Sequence, residues 1–187
     1  MKIGEKNWLF LGAIAIMVAA STSIATAQLN SAAQPIALTA TLAESLTVNL
    51  SASAVSFTLT SGSASNPGST NITATTAWVL KPSRTAVGVY AYFASAAAAL
   101  TDGSGDNIPS SAFTISDNGG AAAALVNTVP FGGALAGLQL ASVTITGANH
   151  AGNRTDAMAY NINLSALGSL PAGTYTGTLD IQAQATP

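Results

Sequence analysis

The 187-residue chain contains no cysteine. Zinc–thiolate sites, iron–sulfur clusters, cysteine nucleophiles and disulfides are therefore excluded. Charge is nearly as scarce. Charged residues make up 6% of the sequence, and His150 is the single histidine. Beyond residue 27 the basic residues are Lys81, Arg84 and Arg154. The acids there are Glu44, Asp102, Asp106, Asp117, Asp156 and Asp180, so three cations face six anions and the formal charge is −3. Nucleic-acid binding needs several Lys or Arg to neutralise phosphates, and three scattered cations cannot supply that footprint. The same shortage argues against docking on anionic lipid. Solvation must come chiefly from Ser, Thr, Asn and Gln. The hydrophobic fraction of 49% nevertheless provides for a core, which separates the chain from disordered polar sequences.

The N-terminus has the three-part layout of a secretory signal. Lys2 and Lys6 are followed by an apolar run from Trp8 to Ala20, and Ala25-Thr26-Ala27 fits the small-x-small rule for cleavage. That run of 13 residues is short of the ~20 needed to span a bilayer. The expectation is a signal-peptide helix over 1–27 and an exported single domain over 28–187. Its destination is the periplasm, the cell surface or the outside, with no stable membrane span after cleavage.

Alternation of apolar and polar residues dominates the remainder. It runs through Ile36–Leu42, Leu46–Ser51, Val55–Thr60, Asn71–Leu80, Ala86–Phe93, Thr155–Leu164 and Thr174–Ala185, while Leu138–Thr146 is rich in β-formers. Phe113–Ser116 has the makings of a short strand. Turn-forming clusters separate these stretches: Ser61–Gly68, Asp102–Asn107, Asp117–Gly120 and Pro130–Gly133. The spacing predicts about eight or nine strands in an all-β, Ig-like antiparallel β-sandwich.

Two stretches carry a family resemblance. Thr39-Ala40-Thr41-Leu42-Ala43-Glu44-Ser45-Leu46-Thr47-Val48 is a strand following a signal peptide, and Leu170-Pro171-Ala172-Gly173-Thr174-Tyr175-Thr176-Gly177-Thr178-Leu179 is a closing strand near the C-terminus. Together they resemble spore coat protein U and the pilin-like secreted proteins of the chaperone–usher type. The resemblance implies an Ig-like sandwich whose members assemble by strand exchange at the cell surface.

Residues able to carry chemistry are few. His150 with Asp156 is the only pairing that suggests a Ser-His-Asp device, but His150 falls in a Gly/Asn-rich connector and reads as an exposed loop residue. Asp102, Ser104, Asp106 and Asn107 set oxygen ligands around glycines, a pattern calcium uses. It lacks the closing Glu of an EF-hand and reads more simply as a turn. Arg84 and Arg154 with Asp156 read as local structure, either a surface ion pair or a loop anchor. Tyr90 and Tyr92 point opposite to Val87, Val89, Ala91 and Phe93, which makes them the candidates for ligand contact. No catalytic residue, metal ligand or cofactor is expected.

The functional expectation is a secreted, non-catalytic structural or surface-assembly protein: a coat, fimbrial or matrix-like subunit. Its partners would be other copies or another surface protein, joined by strand addition. The alternative is a monomeric extracellular binding module for glycans or another surface ligand.

Overall fold

The computed structural model describes residues 29–187. The expected signal-peptide helix lies outside the described residues.

From Thr41 to Pro187 the chain forms one compact β unit. Its strands are β1 (Ser45–Leu50), β2 (Asn66–Pro67), β3 (Ile72–Val79), β4 (Ala86–Tyr92), β5 (Leu100–Thr101) and β6 (Asn107–Ile108). They are followed by β7 (Phe113–Asp117), β8 (Ala123–Ala124), β9 (Gly137–Thr144), β10 (Ala151–Ile162) and β11 (Asp180–Thr186). One 3-10 turn, Ser110–Ala112, leads into β7. The larger sheet has the order β1-β3-β10-β7-β8, with β2 beside β10; the smaller has the order β11-β4-β9. β5 and β6 form a separate hairpin. Every pairing is antiparallel.

The period of two in the sequence sets which face is buried. Ile72, Ala74, Thr76 and Trp78 point inward from β3, and Asp156, Met158, Tyr160 and Ile162 from β10. The second sheet answers with Val87, Val89, Ala91 and Phe93, each exposed by 1% or less. Ala91 and Phe93 join Ile72, Phe113, Met158 and Ile162 in one apolar cluster, so the two sheets close on each other as a sandwich. The all-β, antiparallel expectation is met. Among the described residues the strands number eleven rather than eight or nine, because short pairings such as the two-residue β2 form inside stretches that read as turns.

Three stretches that alternate like strands are not strands here. Ile36–Leu42 carries none. Val55–Thr60 makes only the isolated bridge Phe57–Gly68. In Thr174–Ala185 the ladder begins at Asp180, and the first half makes only the bridge Thr101–Thr176. The reason is the same in each case: alternation supplies two faces, but a strand also needs a neighbouring edge to complete its hydrogen bonds.

Residues 29–40 belong to a unit apart from the β domain. Among them Leu29, Ile36 and Leu38 are exposed.

Candidate functional site

The two incomplete segments of the β domain face each other across an apolar groove of about 830 Å³. One wall carries Leu50, Val55, Phe57 and Leu59; the other carries Leu170, Tyr175, Leu179 and Ile181. The floor comes from both sheets, through Ile72, Phe93, Phe113, Tyr160 and Ile162. Phe113 anchors it, with Phe57 and Phe93 edge-on at centroid distances of 5.5 and 5.2 Å. Such pairs contribute about 0.5–1.5 kcal/mol each beyond their buried area. Burial in this floor pushes the Tyr160 hydroxyl up to about 12, so it stays neutral.

Each wall is hydrogen-bonded on one side only. Ser56 accepts from the Ser69 N–H at 2.8 Å, next to the Phe57–Gly68 bridge. Thr176 and Thr101 exchange N–H···O bonds at 2.9 Å. No backbone hydrogen bond joins the two walls to each other among the described residues. The groove therefore offers apolar lining and two unpaired backbone edges, the two things a β-strand requires.

Upstream, the alternating residues Ile36, Leu38 and Leu42 are 84, 90 and 84% exposed. With Ala40 they occupy every second position, so in extended form they make one apolar stripe. Exposed large apolar residues in a regular row mark a contact surface.

Glu44 fixes the point where β1 begins. Its carboxylate accepts from Arg84 Nε at 2.8 Å and from the Lys81 backbone N–H at 3.3 Å. These bonds, the Arg84 side chain first, hold its carboxyl at about 2.

Tyr90 and Tyr92 do lie opposite Val87, Val89 and Ala91, on the outer face of the smaller sheet, and both are half-buried. Each packs on Phe131, with centroids 5.9 and 5.7 Å away. His150 differs from expectation. It is half-buried rather than exposed, and its Nε2 is shielded without a hydrogen-bond partner. It precedes β10, whereas Asp156 lies six residues along, about 20 Å away on an extended strand. Asp156 is held instead by Arg154 and Asn118, so the His150–Asp156 device does not form. Asp102 uses Oδ1 to accept from the backbone N–H groups of Ser104, Gly105 and Asp106 at 2.8–3.2 Å. That makes the Asp102–Asn107 loop a self-closed turn between β5 and β6. Among the described residues no group of three or more acids or histidines could hold a metal ion.

The Arg154–Asp156 pair also departs from expectation. Its acid is buried: Asp156 is on the inner face of β10 and is 0% exposed, while the Arg154 side chain stays 33% exposed. The parity that buries Met158 and Tyr160 buries Asp156 with them, two residues earlier. Asp117, on the neighbouring strand β7, reaches Arg154 at 3.5 Å. Burial, and then the charge of Asp156, push its carboxyl up.

Neither a family model, a curated protein nor a solved structure matches the chain.

Proposed function

We propose that the protein is an exported, non-catalytic assembly subunit whose groove receives the Ile36–Leu42 segment of a second copy. One observation carries the reading. The three stretches that alternate like strands without forming a ladder are the two walls of the groove, each held by one isolated bridge, and an exposed apolar stripe. A strand laid between the walls completes the hydrogen bonding of all three and buries Ile36, Leu38 and Leu42 against the floor. Burying each Leu or Ile side chain contributes about 1.5–3 kcal/mol, before the ordering of the segment is subtracted.

A second copy is the occupant because the stripe cannot enter its own groove intact. Leu42 is two residues from the pinned Glu44, so it reaches about 7 Å from it at most. The groove opens at Leu50, six residues along β1, about 20 Å away. The secretory layout at the N-terminus and the resemblance to coat and pilin-like proteins support the same reading, as does the shortage of charge that would guard an open strand edge.

Size-exclusion chromatography and electron microscopy of the mature chain test it. The expected result is multimers that Ile36→Asp with Leu38→Asp abolishes. Leu29→Asp, off the stripe by parity, leaves them intact. A strict monomer at high concentration overturns the proposal, and so do multimers indifferent to the stripe.

A further inference from the structure

The outer face of the smaller sheet is built unlike the rest of the surface. Tyr90 and Tyr92 on β4 share that face with Asp180, Gln182 and Gln184 of β11 and with Gln139 and Ser142 of β9, because directly paired residues point the same way. The rings are half-buried, and Gln139, Ser142 and Gln182 are exposed. No large aliphatic side chain pairs with either ring on this face. It is an aromatic patch in a frame of amides and hydroxyls.

The backbone is adapted to hold the patch. A Cβ at Gly88 would lie 2.5 Å from the Tyr90 hydroxyl and 2.7 Å from its ring, so the ring lies across the strand over a residue with no side chain. Gly132 has φ +71°, and a Cβ there would come within 2.7 Å of the Phe93 carbonyl and collide with Tyr92. That left-handed turn is what lets Phe131 fold down onto both tyrosines. β9 contributes a bulge. Val89 pairs with Ala141 and Tyr90 with Gln139, so Leu140 is the extra residue. Leu138 and Leu140 both pack on the core, and an amide rather than a leucine stands beside Tyr90. Tyr92 donates to Gln182 Oε1 at 2.8 Å, which leaves the Gln182 amide N–H groups pointing to other acceptors. Burial, and then the charge of Asp180, push the Tyr92 hydroxyl up. Next to Phe131 a shallow cleft of about 400 Å³ continues past Gln182 and Gln184 to Arg84 and Glu44, with Leu46 and Leu80 also in its lining.

We propose that the Tyr90–Phe131–Tyr92 patch and its glutamines form a binding site for a neutral polysaccharide. A sugar ring has an apolar C–H face and a rim of hydroxyls. The former suits an aromatic ring, and the latter suits amides, which donate and accept. Polyanions are disfavoured because the face carries no cation and the one in the cleft, Arg84, is paired with Glu44. Apolar peptides are disfavoured on the sheet face itself, where no large aliphatic side chain pairs with either tyrosine. The cleft is of a size for one or two sugar units. The site lies apart from the groove, so the two proposals fail independently.

The test is retention of the mature chain on insoluble cellulose, chitin and amylose, and affinity electrophoresis through laminarin and dextran. The expected result is binding to at least one of the five, weakened at least tenfold by Phe131→Ala and by Gln139→Ala with Gln182→Ala. The second variant leaves the rings in place and covers the case in which the first perturbs the loop. Multimer formation by size exclusion stays unchanged in both. No binding to any of the five overturns the proposal, as does binding that neither variant weakens.

Discussion

Arg154 and Asp156, two residues apart on β10, form an ion pair of 2.6 Å on the inner face of a sheet, with the aspartate fully buried. Asn118 Nδ2 adds a third hydrogen bond to the same carboxylate oxygen, at 3.2 Å. Removing one partner of a wholly buried pair leaves an uncompensated charge and costs about 3–5 kcal/mol; here solvent reaches the Arg154 side chain, which is 33% exposed, and screens part of that cost. Arg154→Ala is therefore expected to lower stability, by less than that full amount, measured by urea unfolding at pH 7. Arg154→Ala with Asp156→Leu should recover most of the loss, since an apolar replacement of both partners removes the stranded charge.

Asp117 gives the opposite sign. Its folded carboxyl is shifted upward, so the folded state holds the proton more tightly than the unfolded chain. Stability from this group rises as the pH falls through the raised folded value, and levels off below the ordinary value of 3.8. Asp117→Asn mimics the protonated form. It should raise the unfolding midpoint at pH 7 and flatten the pH dependence above 4. A lower midpoint at pH 7 would mean that the 3.5 Å contact with Arg154 outweighs burial.

Glu44 controls a lower window. Its folded carboxyl is held at about 2 against an ordinary 4.5, by the Arg84 side chain first and the Lys81 N–H second. Its contribution is complete above 4.5 and disappears as the pH falls from there towards 2. Thermal unfolding from pH 2 to 7 should show that loss in the wild type and not in Glu44→Gln.

The groove predicts a response to a free peptide. A synthetic peptide with residues 34–43, added to a chain carrying Ile36→Asp and Leu38→Asp, should bind the empty groove and raise thermal stability. At a hundred times its dissociation constant the gain is about 2.7 kcal/mol. A peptide with both substitutions should have no effect. Phe113→Ala, which removes the floor, should cost about 3–5 kcal/mol and reduce the response.

Much of the fold was legible because the period of two also decides burial. Val87, Val89, Ala91 and Phe93 were readable as one face from their spacing, and so were Ile72, Ala74 and Trp78. The groove was not readable, because alternation says which face an extended segment buries and not whether another edge lies beside it. Val55–Thr60 and Thr174–Leu179 look as strand-like in sequence as β3 does. The burial of Asp156 is hidden in the sequence for a different reason. A carboxylate next to an arginine two residues away suggests a surface pair, and only its register with Met158 and Tyr160 reveals the buried face. Tyr90 and Tyr92 were visible as outward residues. Phe131, which joins them, comes from a loop about forty residues on and has no periodicity to announce it.

The smaller sheet ends on one flank at β9, and the larger ends there at the two-residue β8. A very short edge strand offers almost no template, and a bulged one twists away from an incoming chain. The Asn127–Gly137 bridge ties a loop across the end of β9 as well. Leu140, the one extra residue in β9, thus acts beyond its own position: it spoils the long free border on that flank for indiscriminate stacking. Copies that meet at random should find little to extend there, which favours an ordered aggregate over an amyloid one.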